Sequence, residues 1–89
     1  MGKPAEVLNF PNPSRSYDAA RHGVCFWGYD SKREISFLVE DKMLAALNPG
    51  MGTGEMALLA TFDRNRERIL ELAKGLYTGG PQNRYTIHE

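Results

Sequence analysis

Two short turn signals, His22-Gly23 and Asp30-Ser31-Lys32-Arg33, limit what this chain can fold into more than any other feature. They flank Val24-Cys25-Phe26-Trp27 and precede Ile35-Ser36-Phe37-Leu38-Val39, two runs whose β-branched and aromatic residues are a strand signature. Glycine takes positive φ freely and histidine better than most residues, so His22-Gly23 reads as a two-residue hairpin loop. That loop sets Arg21 opposite Val24, Ala19 opposite Phe26 and Tyr17 opposite Gly28. The second loop sets Tyr29 opposite Glu34, Phe26 opposite Phe37 and Val24 opposite Val39. The two registers come from different turns, yet both put Tyr17, Ala19, Val24, Phe26, Ile35, Phe37 and Val39 on one apolar face. A slip of one residue would exchange the faces, so the agreement predicts a three-stranded meander over Ser16 to Glu40.

Beyond the meander the spacing turns helical. Asp41 reads as the N-cap of a short helix, Lys42 to Leu47, that stops before Pro49. After a glycine-rich loop, Asn48 to Gly54, one long helix is predicted from about Glu55 to Tyr77, closed by Gly79-Gly80-Pro81. Leu58, Phe62, Ile69, Leu72, Ala73 and Leu76 form its apolar stripe, and Arg64, Glu67, Arg68, Glu71 and Lys74 take the other side. Arg84 to His88 alternates and reads as a fourth strand. The fold class expected is α+β: a two-layer sandwich in which an antiparallel sheet of three to four strands carries one long and one short helix on one face. Residues 1–15 form a proline-containing N-terminal arm and residues 16–89 a single domain. Val7, Leu8 and Phe10 are apolar for a tail and predict that the arm docks. Its prolines cannot donate to a ladder, which predicts that it lies across the sheet rather than extending it.

With 89 residues the chain has room for one modest core. Eleven basic and eleven acidic side chains cancel, so the field that draws proteins to polyanions is missing and nucleic acid is disfavoured as a partner. One cysteine allows no internal disulfide and no CxxC metal pair, which suits a reducing compartment. Residues 1–10 lack the apolar run of a signal peptide, no stretch approaches ~20 apolar residues, and Glu6 stands where a myristoylation motif needs Ser or Thr. A soluble cytoplasmic protein with no membrane partner is expected.

The motifs that invite a chemical reading fail on inspection. Gly50-Met51-Gly52-Thr53-Gly54 comes after a helix rather than a strand, lacks the lysine of a phosphate loop, and runs into Glu55. It reads as a flexible connection in which Thr53 caps the long helix. His22 to Tyr29 shares Gly23, Phe26 and Tyr29 with an RNA-binding strand pattern but loses its basic first and aromatic third positions. Cys25 sits mid-strand beside Phe26 and Trp27, where a packed thiol is expected rather than a nucleophile. The histidines, His22 and His88, give no metal-ligand spacing and no triad. No catalytic residue, cofactor or metal is assigned.

Two features remain. Asn65 falls on the apolar stripe between Phe62 and Ile69, with Arg66 near its edge, and a buried amide needs partners. Asn65 and Arg66 are therefore a polar anchor, which either ties the glycine-rich loop or the arm to the helix or lines a small pocket. The second feature is the sheet's other face. The register that buries Phe26 and Phe37 puts Ala20, Cys25, Trp27, Tyr29 and Leu38 opposite, where a single helical layer leaves them open. Cys25, Trp27, Tyr29 and Leu38 are the candidate interaction face, to be covered by the arm, by a second copy or by another protein.

The runs Asn9-Phe10-Pro11-Asn12-Pro13-Ser14-Arg15-Ser16-Tyr17-Asp18, Phe26-Trp27-Gly28-Tyr29-Asp30 and Phe62-Asp63-Arg64-Asn65-Arg66 resemble a family of short proteobacterial proteins, domain of unknown function 1488. The resemblance spans about Asn9 to Tyr85. It implies a compact α+β fold in a bacterial cytoplasm and no activity. From the residues, the expectation is a non-enzymatic interaction or structural module that self-associates as a homodimer. The alternative is a small regulatory domain that binds a small ligand or nucleic acid through Arg15, Arg21, Arg33, Arg64 and Arg68.

Overall fold

The computed structural model describes residues 8–50 and 52–88. The chain runs through β1 (Leu8–Asn9), β2 (Arg15–Asp18), β3 (Gly23–Asp30), β4 (Arg33–Glu40), α1 (Asp41–Leu47), α2 (Glu55–Arg64), α3 (Arg66–Leu76) and β5 (Arg84–Ile87). The fold is α+β with a mixed five-stranded sheet and three helices.

The β3–β4 register is the predicted one, with Phe26 opposite Phe37 and Val24 opposite Val39. Its loop is shorter than read, because Asp30 pairs with Arg33 and only Ser31 and Lys32 turn, Ser31 at φ 56°. The first turn is longer than read. Asp18 pairs with Gly23 and Tyr17 with Val24, so Ala19 to His22 form the turn and Ala19 and Ala20 are exposed. The reason is local: Asp18 accepts the Arg21 backbone N–H at 3.1 Å and its side-chain Nε at 2.9 Å, which closes a wider loop before His22 takes φ 56°. The shift is even in number, so Tyr17 keeps its face.

β5 corrects the antiparallel expectation. It pairs with β4 in parallel, Phe37 beside Tyr85 and Val39 beside Ile87. Parallel neighbours need a crossover, and the helices between the two strands provide it. The arm is also corrected. Leu8 and Asn9 extend the sheet, pairing with Asp30 and Tyr29 on the edge of β3 that β2 occupies further along. Pro11 and Pro13 fall in the unpaired stretch between β1 and β2, where no N–H is needed. Val7 and Met51 lie outside the described residues.

The core forms on one face. An aromatic row crosses three strands: Phe26 stacks on Phe37 at 5.3 Å and Phe37 on Tyr85 at 5.5 Å. Phe10 closes one side of the row at 5.9 Å from Phe26, and Phe62 tilts onto it at 5.2 Å. Each such ring contributes about 1.5–3 kcal/mol through burial, plus roughly 0.5–1.5 kcal/mol per ring pair. Leu44 of α1, Leu58 of α2, and Ile69 and Ala73 of α3 join the same cluster.

The long helix predicted over Glu55 to Tyr77 is two helices, broken at Asn65, whose φ of −109° and ψ of 20° leave the helical region. The break changes the stripe. Tyr77 is buried instead of Leu72 and Leu76, which are 36% and 40% exposed. The caps differ too. Gly54 precedes α2 with no side-chain cap, Thr53 is exposed, and Asp41 is the first residue of α1. Its carboxylate accepts the Tyr17 hydroxyl at 2.8 Å, a tertiary bond in place of a cap.

Candidate functional site

The sheet's second face carries the predicted interaction residues on adjacent strands. Cys25 faces Leu38 across the β3–β4 ladder, Trp27 faces Ser36, and Tyr29 faces Glu34. Cys25, Trp27 and Tyr29 are half-buried, and none of the four belongs to the core cluster that all three helices feed. Leu38 is nonetheless only 5% exposed. Gly23 provides its slot, since a Cβ there would stand 2.8 Å from Leu38 Cδ1. Ala20, read as part of this face, belongs to the turn. Leu8 and Phe10 of the arm pack on the opposite face, against the core.

Beside this apolar strip Arg21 and Asp18 form a short-range ion pair. Arg21 donates to Asp18 at 2.9 Å, and its second terminal nitrogen lies 3.5 Å from the Cys25 sulfur. The Arg21 hydrogen bond holds the Asp18 carboxyl below the usual carboxylate range. Cys25 thus sits between a guanidinium and a carboxylate that neutralise each other. Tyr29 donates weakly to Glu34 at 3.5 Å. Among the described residues Glu40 and Arg84, on the same face, have no ion-pair partner.

The polar anchor is at the α2–α3 break, and its two members do different things. Asn65 donates from its side-chain amide to the Thr61 carbonyl at 2.9 Å, one turn back on its own helix. Arg66 reaches the arm, donating to the Asn12 carbonyl at 3.3 Å with its guanidinium over the Phe62 ring. Arg15 adds a bidentate pair with Asp63 at 2.9 and 2.7 Å. Neither Arg15 nor Asp63 was part of the predicted anchor, and no spacing in the sequence connects two residues 48 positions apart. The one available signal is that both lie inside motif runs that also contain Asn12 and Arg66.

Among the described residues, no three of His, Cys, Asp and Glu come together in a way that could hold a metal ion. No described helix is long and apolar enough to cross a membrane. A family model described as "Protein of unknown function (DUF1488)" matches residues 8–88. The chain belongs to that family. Neither the curated proteins nor the solved structures compared with it give a match. In this DUF1488 chain the matched region takes in every described strand and helix, both the open face and the helix break included.

Proposed function

We propose that this chain is a non-enzymatic interaction module that self-associates through the sheet face bearing Cys25, Trp27, Tyr29 and Leu38. The observation that carries the reading is the half-buried Trp27 beside the buried Leu38, on a face to which no described helix contributes core residues. Tryptophan and tyrosine are enriched where one protein meets another, because they bury a large area while keeping a polar tip. Glu40 and Arg84 supply opposite charges on the same face. Two copies related by a two-fold axis each present both signs, so the face is self-complementary.

The chain contains one tryptophan, so its emission reports this face alone. Light scattering over a dilution series should show a dimer giving way to a monomer, with Trp27 emission moving to the red in step. Trp27→Glu should be monomeric at every concentration while retaining its far-ultraviolet circular dichroism. A wild-type protein that is monomeric across the series, with constant emission, defeats the proposal.

A further inference from the structure

β5 closes one end of the sheet, with β4 on one side and, among the described residues, no strand on the other. The backbone groups of successive residues in an extended strand point to opposite edges. The Asn83 carbonyl accepts the Ser36 N–H of β4 at 2.8 Å, and Ser36 sits opposite Arg84. The N–H and C=O of Arg84 and Thr86 therefore point away from β4, and an open edge of this kind is a template for another chain. The Arg84 carbonyl shows what the edge lacks. It accepts the Gln82 side-chain amide at 2.6 Å, which stands where the N–H of a further strand would lie. Thr86 has no such substitute among the described residues.

Beside this edge lies a groove of about 390 Å³, whose lining includes Leu72, Gly75 and Leu76 of α3, Met43 of α1, and Thr86 and Ile87 of β5. Leu72 and Leu76 are two of the three large apolar side chains left exposed among the described residues. One helical turn apart, they share a side of α3. Gly75 sits between them, and no atom lies within 4 Å of where its Cβ would stand, so a second backbone has room to approach. Edge and groove make two demands that one kind of ligand meets. The edge takes an extended backbone, and the groove takes apolar side chains at every second position.

We propose that β5 and α3 form a docking groove for a short extended peptide segment of a partner protein. The segment adds a strand through Arg84 and Thr86 and lays alternate apolar side chains against Leu72, Gly75 and Leu76. Size decides for a peptide over a second copy of the chain. β5 has 4 residues, a ladder of roughly 13 Å, which suits a segment of similar length. A stable dimer buries roughly 800 Å² on each partner. Leu72 and Leu76 are already more than half covered, so they and a short edge fall well below that. Docking displaces the Gln82 amide from the Arg84 carbonyl and does not involve Trp27, so it stands apart from self-association through the open face.

The test is selection of phage-displayed random heptapeptides on the full chain, followed by titration with the best of them as a synthetic peptide. Selected sequences should carry apolar residues at alternate positions. Nuclear magnetic resonance shifts should appear at the backbone amides of Arg84 to Ile87 and at the Gln82 side-chain amide. Thr86→Pro removes the outward N–H and spares Tyr85 and Ile87, whose backbone groups face β4. It should weaken binding about tenfold, and Leu76→Glu should do the same. Met56→Lys, exposed on α2, should change nothing. If Thr86→Pro lowers the melting temperature, Leu76→Glu decides alone. A selection that enriches no alternating sequence overturns the proposal. So does a peptide that Leu76→Glu binds as well as the wild type, including one lost only in Trp27→Glu, which marks the open face instead. If Leu76→Glu turns a dimer into a monomer by light scattering, the occupant of the edge is a second copy and the peptide is ruled out.

Discussion

Phe10 lies so close over Gly28 that a Cβ on the glycine would stand 2.7 Å from the ring's Cε1 and 3.1 Å from the Asn9 carbonyl oxygen. The glycine is what lets the arm bring an aromatic ring against Phe26 and Phe37. Gly28→Ala should therefore lower stability by about 1–3 kcal/mol, the usual cost of overpacking. In a Phe10→Ala background the same change should cost much less. A denaturant-unfolding double-mutant cycle measures the difference, and additive costs would mean that the two residues are not coupled.

The helix break sorts α3 into buried and open positions that a single stripe would have merged. Ile69 is fully buried, while Leu72 is 36% exposed. Ile69→Ala should destabilise by about 2–5 kcal/mol and Leu72→Ala by less than about 1 kcal/mol. Equal losses in urea unfolding would restore the single-helix reading.

Tyr77 donates to the Asp30 carboxylate and packs edge-on against Tyr85 at 5.9 Å. The hydrogen bond to Asp30, aided by burial, raises the Tyr77 phenol above the ordinary tyrosine range. A phenol with a raised folded pKa contributes stability that is fully present below about pH 10 and is lost as pH rises through the folded value. Tyr17 is raised in the same way by its bond to Asp41. Thermal midpoints should fall at alkaline pH. Tyr77→Phe should cost about 1–2 kcal/mol at neutral pH and reduce that alkaline fall. A variant as stable as the wild type, with the same alkaline profile, would show the bond to be idle.

Asp18 behaves in the opposite sense. Its carboxyl is held down by the Arg21 side chain and backbone N–H. What it contributes is present above about pH 4 and is lost as pH falls through the folded value. The Arg21 amide resonance should report this as a titration with a midpoint below that of an unperturbed aspartate, and Asp18→Ala should abolish it. An Arg21 amide insensitive to acid would remove Asp18 from the turn.

The sequence by itself determined the β3–β4 hairpin, the face that carries Val24, Phe26, Ile35, Phe37 and Val39, and the identity of the open face around Trp27. All three come from a period of two and a tight turn, which are properties of near neighbours. It also determined that Leu8 and Phe10 dock, since apolar residues next to a core do not stay in water. The length of the first turn escaped because Asp18 fixes it from its side chain, and a propensity reading sees only the backbone preference of His22 and Gly23. The direction of β5 could not be read at all, since alternation is the same in a parallel strand and an antiparallel one. It was decided by register with β4, beginning where Ser36 donates to the Asn83 carbonyl at 2.8 Å. The break at Asn65 belongs to the same class. Helical spacing runs straight through it, and the contacts around it come from Arg15 and Asn12, about fifty residues earlier in the chain. Local pattern carries the energy of neighbours only. Strand direction, helix continuity and the Arg15–Asp63 pair depend on residues that meet only once the chain has folded.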